Sequence, residues 1–224
     1  MNLVKTSADG SSTVYSPQFD EHYHSLHGAV QESTHVFIKA GLEKAGLTRH
    51  SLKILEMGFG TGLNCLLTLL ENERMCKDIR YYTLEAFPLQ PDVLEKLNHP
   101  AVLAGDFVNA WFEKIHSAPW NRDVAIDKRF SLLKREITLQ EFSAPETFDL
   151  VYYDAFSPAT QPELWTGEIF GKLYSLMSED AILVTYCSKG SVKRNLKQAG
   201  FTVESIQGPP GKREMTRAIR SKAS

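Results

Sequence analysis

The sequence predicts an α/β fold: a mostly parallel sheet of seven strands with helices on both faces, an antiparallel last strand, and an N-terminal appendage. Three observations carry this. Short apolar runs alternate with helical stretches through residues 51–224, the pattern of βαβ units. A glycine-rich turn, Gly58-Phe59-Gly60-Thr61-Gly62, joins the first such run to the first helix, as in doubly wound sheets that bind ligands at their strand ends. Two β-rich runs flank Gly208-Pro209-Pro210-Gly211 near the C-terminus, and so short a link makes them antiparallel.

In chain order, residues 52–57 form a buried strand and residues 63–70 open a helix that runs into Glu71-Asn72-Glu73. Residues 80–85 are aromatic and β-branched, a second strand stopped by Pro88 and Pro91, with a helix over 92–97. The stretch 100–145 is the least regular. Its 108–116 segment reads as a helix, and 123–126 with 130–137 read as a hairpin about Asp127-Lys128. Residues 148–153 are a strand ending at Asp154, and 181–186 another. Residues 189–199 are a helix closed by Gly200, followed by the strand pair 201–206 and 214–219. Two units result: residues 1–50, a hairpin and helix packed on the core, and residues 51–224, one structural unit.

At 224 residues, 42% hydrophobic and 23% charged, the chain has a globular composition that excludes disordered and collagen-like classes. No run reaches the roughly 18 apolar residues of a membrane span, and the first residues lack the apolar segment of a secretion signal. No membrane association and a cytoplasmic location are therefore expected. Cys65, Cys76 and Cys187 show no CxxC spacing, which suits reduced thiols. His22, His24, His27 and His35 gather near the start, but no cysteine or spaced carboxylate set completes a shell, so no metal is expected. The chain carries −2 overall, yet from Lys189 onward nine lysines and arginines face only Glu204 and Glu214. Such segregation points to an anionic partner along one edge.

The glycine turn decides the ligand class. A dinucleotide fingerprint would need glycine at position 63, which is Leu63, and the Gly-Lys-Ser/Thr of a phosphate loop is absent. Glu56, just before the first glycine, would repel a pyrophosphate and suits a cationic amino-acid head group. Glu85, ending the second strand, is placed to accept hydrogen bonds from ribose hydroxyls. Glu56, Gly58, Gly60, Gly62 and Glu85 together read as an S-adenosylmethionine site of the class I, Rossmann-like methyltransferase type. Asp154-Ala155-Phe156-Ser157-Pro158 follows the next central strand, where such N-methyltransferases hold a target amine. There Asp154 is expected to accept from the amine, beside the cofactor, and Phe156 to stack on a base.

These residues resemble the methyltransferase domain of the bifunctional tRNA 5-methylaminomethyl-2-thiouridine biosynthesis proteins, the MnmC family, in a stand-alone form. The matching segments run in order through nearly the whole chain. They are Tyr23 with residues 31–38, residues 56–64 through Asn64, residues 85–89, residues 154–158 with Pro162-Glu163-Leu164-Trp165, residues 186–190, and residues 208–215. The resemblance implies methylation of the exocyclic amine of 5-aminomethyl-(2-thio)uridine at the wobble position of tRNA, with S-adenosylmethionine as donor. It implies that Tyr23, Glu32 and Asn64 join the cofactor site. Pro158, Trp165 and Lys189 fall to the tRNA side, and Lys212 and Arg213 become a clamp on anticodon phosphates. The family's third strand ends in an acid that contacts adenine. Spacing selects Glu136, with Asp106 the runner-up. The bifunctional proteins carry an FAD-dependent oxidase domain for which this chain has no room. No FAD is expected, and a separate enzyme would supply the aminomethyl substrate. Three alternatives stay open: an aminopropyltransferase of the spermidine-synthase type, a small-molecule N-methyltransferase, and a silent RNA-binding module.

Overall fold

The computed structural model describes residues 2–105 and 107–221; Asp106 and Lys222 lie outside them. Its strands are β1 (Leu3–Thr6), β2 (Ser12–Ser16), β3 (Glu21–His22), β4 (Ser51–Met57), β5 (Asp78–Glu85), β6 (Asp123–Asp127), β7 (Phe130–Glu136), β8 (Phe148–Tyr153), β9 (Met177–Thr185), β10 (Thr202–Gln207) and β11 (Glu214–Ile219). The first three make a small antiparallel sheet. The other eight form one sheet in the order β10-β11-β9-β8-β4-β5-β7-β6. Neighbours from β9 through β8, β4 and β5 to β7 are parallel, while β11 is antiparallel to both β9 and β10.

The sequence predicts a main sheet of seven strands; among the described residues that sheet has eight. The extra one is β6, the first arm of the predicted hairpin, which adds antiparallel to β7 at the sheet edge. Burial explains it: Ile126 is enclosed, Val124 packs on the same core, and Lys114 donates to the Ile126 carbonyl at 2.6 Å.

Alternate residues of β4 serve two cores, which is why 52–57 reads as a near-continuous apolar run. Leu52 and Ile54 face the helices Leu63–Met75 and Val108–Ser117 and the helical run through residues 29–46. Leu55 and Met57 face the helices Gly167–Leu176 and Gly190–Gln198. The Gly167–Leu176 helix was not foreseen, although Thr166 caps it by accepting from Ile169 N at 3.3 Å and Ile169, Phe170, Leu173 and Leu176 mark its buried face. The helix predicted over 92–97 shrinks to Pro91–Leu94. Beyond it the bonds tighten to three-residue spacing, from Lys96 N to Val93 O and Leu97 N to Leu94 O.

The N-terminal segment is pinned by polar side chains that satisfy a helix start. Ala29 N, Val30 N and Gln31 N donate to Ser7 Oγ, Ser11 Oγ and Asp9 Oδ2 at 3.2, 3.2 and 3.0 Å, filling orphan donors of the first turn. Asn98 ties the hairpin from the other side, accepting from Ser12 N at 2.7 Å and donating to Gly10 O at 2.8 Å. The strand order reverses between β5 and β8 around β4, so a crevice opens at their carboxyl ends. No helix among the described residues is long and apolar enough to cross a membrane.

Candidate active site

The crevice encloses about 520 Å³, within the roughly 300–1,000 Å³ of small-molecule sites. Its floor is the glycine turn after β4. Gly58, Gly60 and Gly62 have φ of 88°, 48° and 70°, a region that L side chains resist. A Cβ at Gly58 would lie 2.8 Å from the Asp154 carbonyl, and one at Gly60 would lie 2.7 Å from the Tyr23 ring. Gly60 N donates to Glu85 Oε2 at 3.0 Å and Phe87 N to Glu85 Oε1 at 2.9 Å. Burial pushes the Glu85 carboxyl above its ordinary pKa, and these backbone donors oppose the rise. Behind the turn, His24 and His116 hold Thr61 through its hydroxyl at 2.9 Å and its carbonyl at 3.1 Å. Desolvation pushes both imidazoles down to about 4, so they are neutral near pH 7.

Asp154 begins the loop after β8 and faces the same crevice. Asn64 Nδ2 donates to its Oδ2 at 2.9 Å. Burial raises its pKa to about 7; the Asn64 bond lowers it, Glu32 raises it and Lys212 lowers it. The loop is braced at each step. Tyr186 Oη donates to Ala155 O at 2.9 Å, Trp165 Nε1 to Phe156 O at 2.8 Å, and Ser157 N to Glu21 Oε2 at 3.1 Å. Phe156 stands with its ring centroid 4.6 Å from Phe19 and 5.1 Å from Tyr23. Phe87, 49% exposed, lies 5.6 Å from Phe19, and Leu26, 48% exposed, also lines the opening.

Of the expected cofactor residues, Tyr23, Glu32, Gly58, Gly60 and Glu85 line the crevice together with Asp154 and Phe156. Gly62 lies one step behind, at the start of the Leu63–Met75 helix, and Asn64 reaches the crevice through Asp154. Glu56 does not line it. In β4 its side chain shares the face of Ile54, beneath the Leu63–Met75 helix. It is fully buried, and no group among the described residues hydrogen-bonds either carboxyl oxygen. Glu56 therefore stands behind the crevice wall and not on its surface. Desolvation pushes its pKa up to about 8, which nearby Thr83, Asn64 and Tyr81 soften and Asp154 reinforces. Glu136 is exposed at the end of β7, paired in register with Glu85, and also does not line the crevice; Thr138, Leu139 and Gln140 do.

On the substrate side, Trp165 is 3% exposed and packs on Tyr153, so it braces the loop from behind and is no wall of a base pocket. Pro158 and Lys189 stand outside the lining, and Arg213 is exposed. Lys212 departs most from the clamp expectation. It turns into the crevice, pairs with Glu32 Oε1 at 2.6 Å, and lies 4.2 Å from the centroid of the Tyr186 ring. Sequence reasoning missed Phe19, Phe87 and residues 138–140, which sit on loops without periodicity, and Glu21, which sits in the two-residue strand β3, too short to show an alternation.

The buried Glu56 gives a testable consequence. Between its ordinary value of 4.5 and about 8, the folded chain holds a proton that the unfolded chain releases. Its contribution to stability is therefore complete below 4.5 and is lost as pH rises through 8. Glu56→Gln, an isostere of the neutral acid, should remove that share of the slope and stabilise the protein at pH 8.5 relative to wild type by up to roughly 4 kcal/mol. Urea denaturation of both proteins at pH 5 and 8.5 checks this; identical slopes would refute it.

Among the described residues no group of three or more His, Cys, Asp or Glu is placed to hold a metal. The family described as S-adenosyl-L-methionine-dependent methyltransferase matches residues 103–221. Two curated relatives are tRNA 5-methylaminomethyl-2-thiouridine biosynthesis bifunctional proteins, MnmC. That of Magnetococcus marinus is 33% identical over 225 residues, covering 92% of this chain and 32% of the relative. That of Paraburkholderia phymatum is 31% identical over 223 residues, covering 92% and 33%. The chain thus spans about a third of the length of these relatives. Among solved structures, MnmC2 from Aquifex aeolicus superposes with a TM-score of 0.80 at 27% identity, covering 98% of this chain and 70% of that one.

Proposed function

The chain belongs to the family of S-adenosyl-L-methionine-dependent methyltransferases, and from that membership we propose that it methylates the exocyclic amine of 5-aminomethyl-(2-thio)uridine at the tRNA wobble position, giving the 5-methylaminomethyl form. The names of the MnmC relatives support the substrate class. The observation that carries the reading is one crevice shared by a glycine floor, a ribose-height carboxylate and a braced aspartate within an aromatic mouth.

The residues present fit the cofactor. At Gly58 and Gly60 the Asp154 carbonyl and the Tyr23 ring close so tightly on the backbone that a Cβ would clash with them, so glycine lets these walls of the crevice meet its floor. Carboxyls from Glu21, Glu32, Glu85, Asp154 and Glu163 line it against Lys212 alone among lysines and arginines of the described residues, and an excess of negative charge suits a cation. Gly58 and Gly60 would let the ligand approach the backbone, Glu85 would take the ribose hydroxyls, and residues 138–140 would flank the adenine, replacing Glu136. When bound, S-adenosylmethionine supplies a methyl group on positively charged sulfur. The chain's own part is to hold a nitrogen lone pair in line with it. Asp154 orients the amine and receives its proton, while Phe156, Phe19 and Phe87 offer faces for a splayed base, the usual way single-stranded RNA is gripped. The acceptor loop carries only Asp154 before Pro158, too few acids to grip a polyamine, which disfavours aminopropyl transfer.

The basic C-terminal edge supports tRNA as partner after allowance for internal pairing. Glu214 pairs with Lys193 and Glu204 with Arg217, while Lys189, Arg194, Lys197 and Arg213 stay exposed. We place the phosphate contacts on these, with Arg213 kept from the expected clamp and Lys212 removed from it. Arg213→Ala with Arg194→Ala should raise the KM for tRNA several-fold and flatten the salt dependence of binding, with the cofactor Kd unchanged. An equal rise for both ligands would count against the placement. The reaction itself is tested by nucleoside mass spectrometry of tRNA bearing 5-aminomethyluridine, treated with the protein and S-adenosylmethionine. One added methyl on the aminomethyl nucleoside is expected; an unchanged nucleoside overturns the assignment.

A further inference from the structure

Among the described residues five carboxyl groups line the crevice, yet one lysine ammonium reaches into it and is already paired. Lys212 extends from the Gly208–Gly211 turn, whose shape is set by backbone bonds from Gly208 N to Arg213 O at 3.2 Å and Lys212 N to Pro209 O at 2.9 Å. Its Nζ meets Glu32 Oε1 at 2.6 Å over the face of Tyr186. Glu32 is only 9% exposed, and its other oxygen accepts from Ser25 N at 2.9 Å. The pair therefore joins the C-terminal turn to the N-terminal helical segment beside the ligand space, with the Glu32 carboxylate also held by Ser25 N.

The pair is half-buried, the Glu32 side chain 11% and the Lys212 side chain 36% exposed, so parting it strands chiefly the enclosed Glu32 charge. A ligand that brings both a carboxylate and an ammonium can part it without that penalty, each ligand charge meeting one half. The amino-acid end of S-adenosylmethionine is such a group. We propose that Glu32 and Lys212 together receive that end, Glu32 taking the α-ammonium and Lys212 the α-carboxylate. Lys212 is then the residue by which the protein distinguishes S-adenosylmethionine from its decarboxylated form. The inference rests on reading the crevice as the S-adenosylmethionine site. It reassigns a lysine that sequence alone gave to tRNA, and it accounts for a single cation among carboxyls: a ligand lacking the carboxylate has no use for Lys212 and must compete with it for Glu32.

The test is calorimetric and needs no turnover. Wild type, Lys212→Met and Lys212→Arg are titrated with S-adenosylmethionine and with its decarboxylated form. The methionine keeps the cover over Tyr186 and removes only the charge. Lys212→Met should weaken S-adenosylmethionine about 10–100-fold, the usual scale for a desolvated charge-assisted contact, and leave the decarboxylated ligand within threefold or bind it more tightly. Lys212→Arg should retain most of the wild-type preference, which also shows that the turn tolerates substitution. If Lys212→Met weakens both ligands equally, or neither, the assignment is overturned while the methyltransferase reading stands. If wild type fails to bind S-adenosylmethionine, both readings fall together.

Discussion

Gly60→Val loses at least about 100-fold in affinity for S-adenosylmethionine while the chain still folds. Two effects act in the same direction. Gly60 sits at φ 48°, where a β-branched residue is a conformational outlier and a left-handed backbone costs an L-residue roughly 1–2 kcal/mol. The added Cβ would also lie 2.7 Å from Tyr23 Cδ1. That ring forms a wall of the crevice and packs edge-on to Phe156, so relief of the clash moves the wall. The loop can escape the strain only by turning Gly60 N away from Glu85, which frees a carboxylate expected to meet the ribose. The sheet beneath carries two separate cores, so the fold has a reserve that the binding site lacks. Calorimetry with S-adenosylmethionine and thermal melts without it separate the two. Gly60→Ala, with the same backbone problem and less bulk, should fall between. Binding by the valine variant within threefold of wild type would show that the glycine floor is not where the ligand lies.

The contrast between cores and loops explains what could be read in the sequence. Strands β4 and β8 declare themselves because burial on both faces is a property of consecutive residues. The glycine turn is legible for the same local reason: three glycines with positive φ are needed at that spacing and almost nowhere else. The failures are of another kind. Glu56 reads as a head-group ligand because it adjoins the glycines, but a strand sends successive side chains to opposite faces, and Glu56 falls on the face of Ile54. Glu136 fits a spacing rule, yet the chain reaches the crevice only beyond the end of β7, at residues 138–140. Trp165 and Lys212 have chemistry suited to RNA, and their true neighbours, Phe156 and Glu32, lie on other elements. A long side chain can serve either side of a turn, and no local pattern says which. The eighth strand was visible as half of a hairpin, but whether a hairpin joins a sheet depends on the edge it meets.

Asp154→Ala should lower turnover by about 10²–10⁴, the range for a positioned acid–base group, and leave the cofactor Kd within threefold. The more informative variant is Asp154→Asn, because it separates orientation from proton removal. A free alkylamine has a pKa near 10, so about one molecule in a thousand is neutral at pH 7. An ordinary aspartate could not draw off its proton. Burial lifts Asp154 to about 7, which narrows the gap to about three pKa units, roughly 4 kcal/mol, and desolvation of the amine as water leaves narrows it further. With proton removal by Asp154, the reactive pairing is an ionised carboxyl with a protonated amine, whose population is constant between the two pKa values. The kcat/KM for tRNA should therefore climb tenfold per unit up to about pH 7 and then stay level to about pH 10. In Asp154→Asn only the amine titrates, so kcat/KM should start far lower and keep rising through pH 9, approaching wild type at the alkaline end. If Asp154 only orients the nitrogen, wild type must also climb across pH 7–9, in parallel with the asparagine variant. A level wild-type profile beside a sloping variant is thus the signature of a base, and two parallel slopes are the signature of a hydrogen-bond acceptor that leaves the proton to solvent.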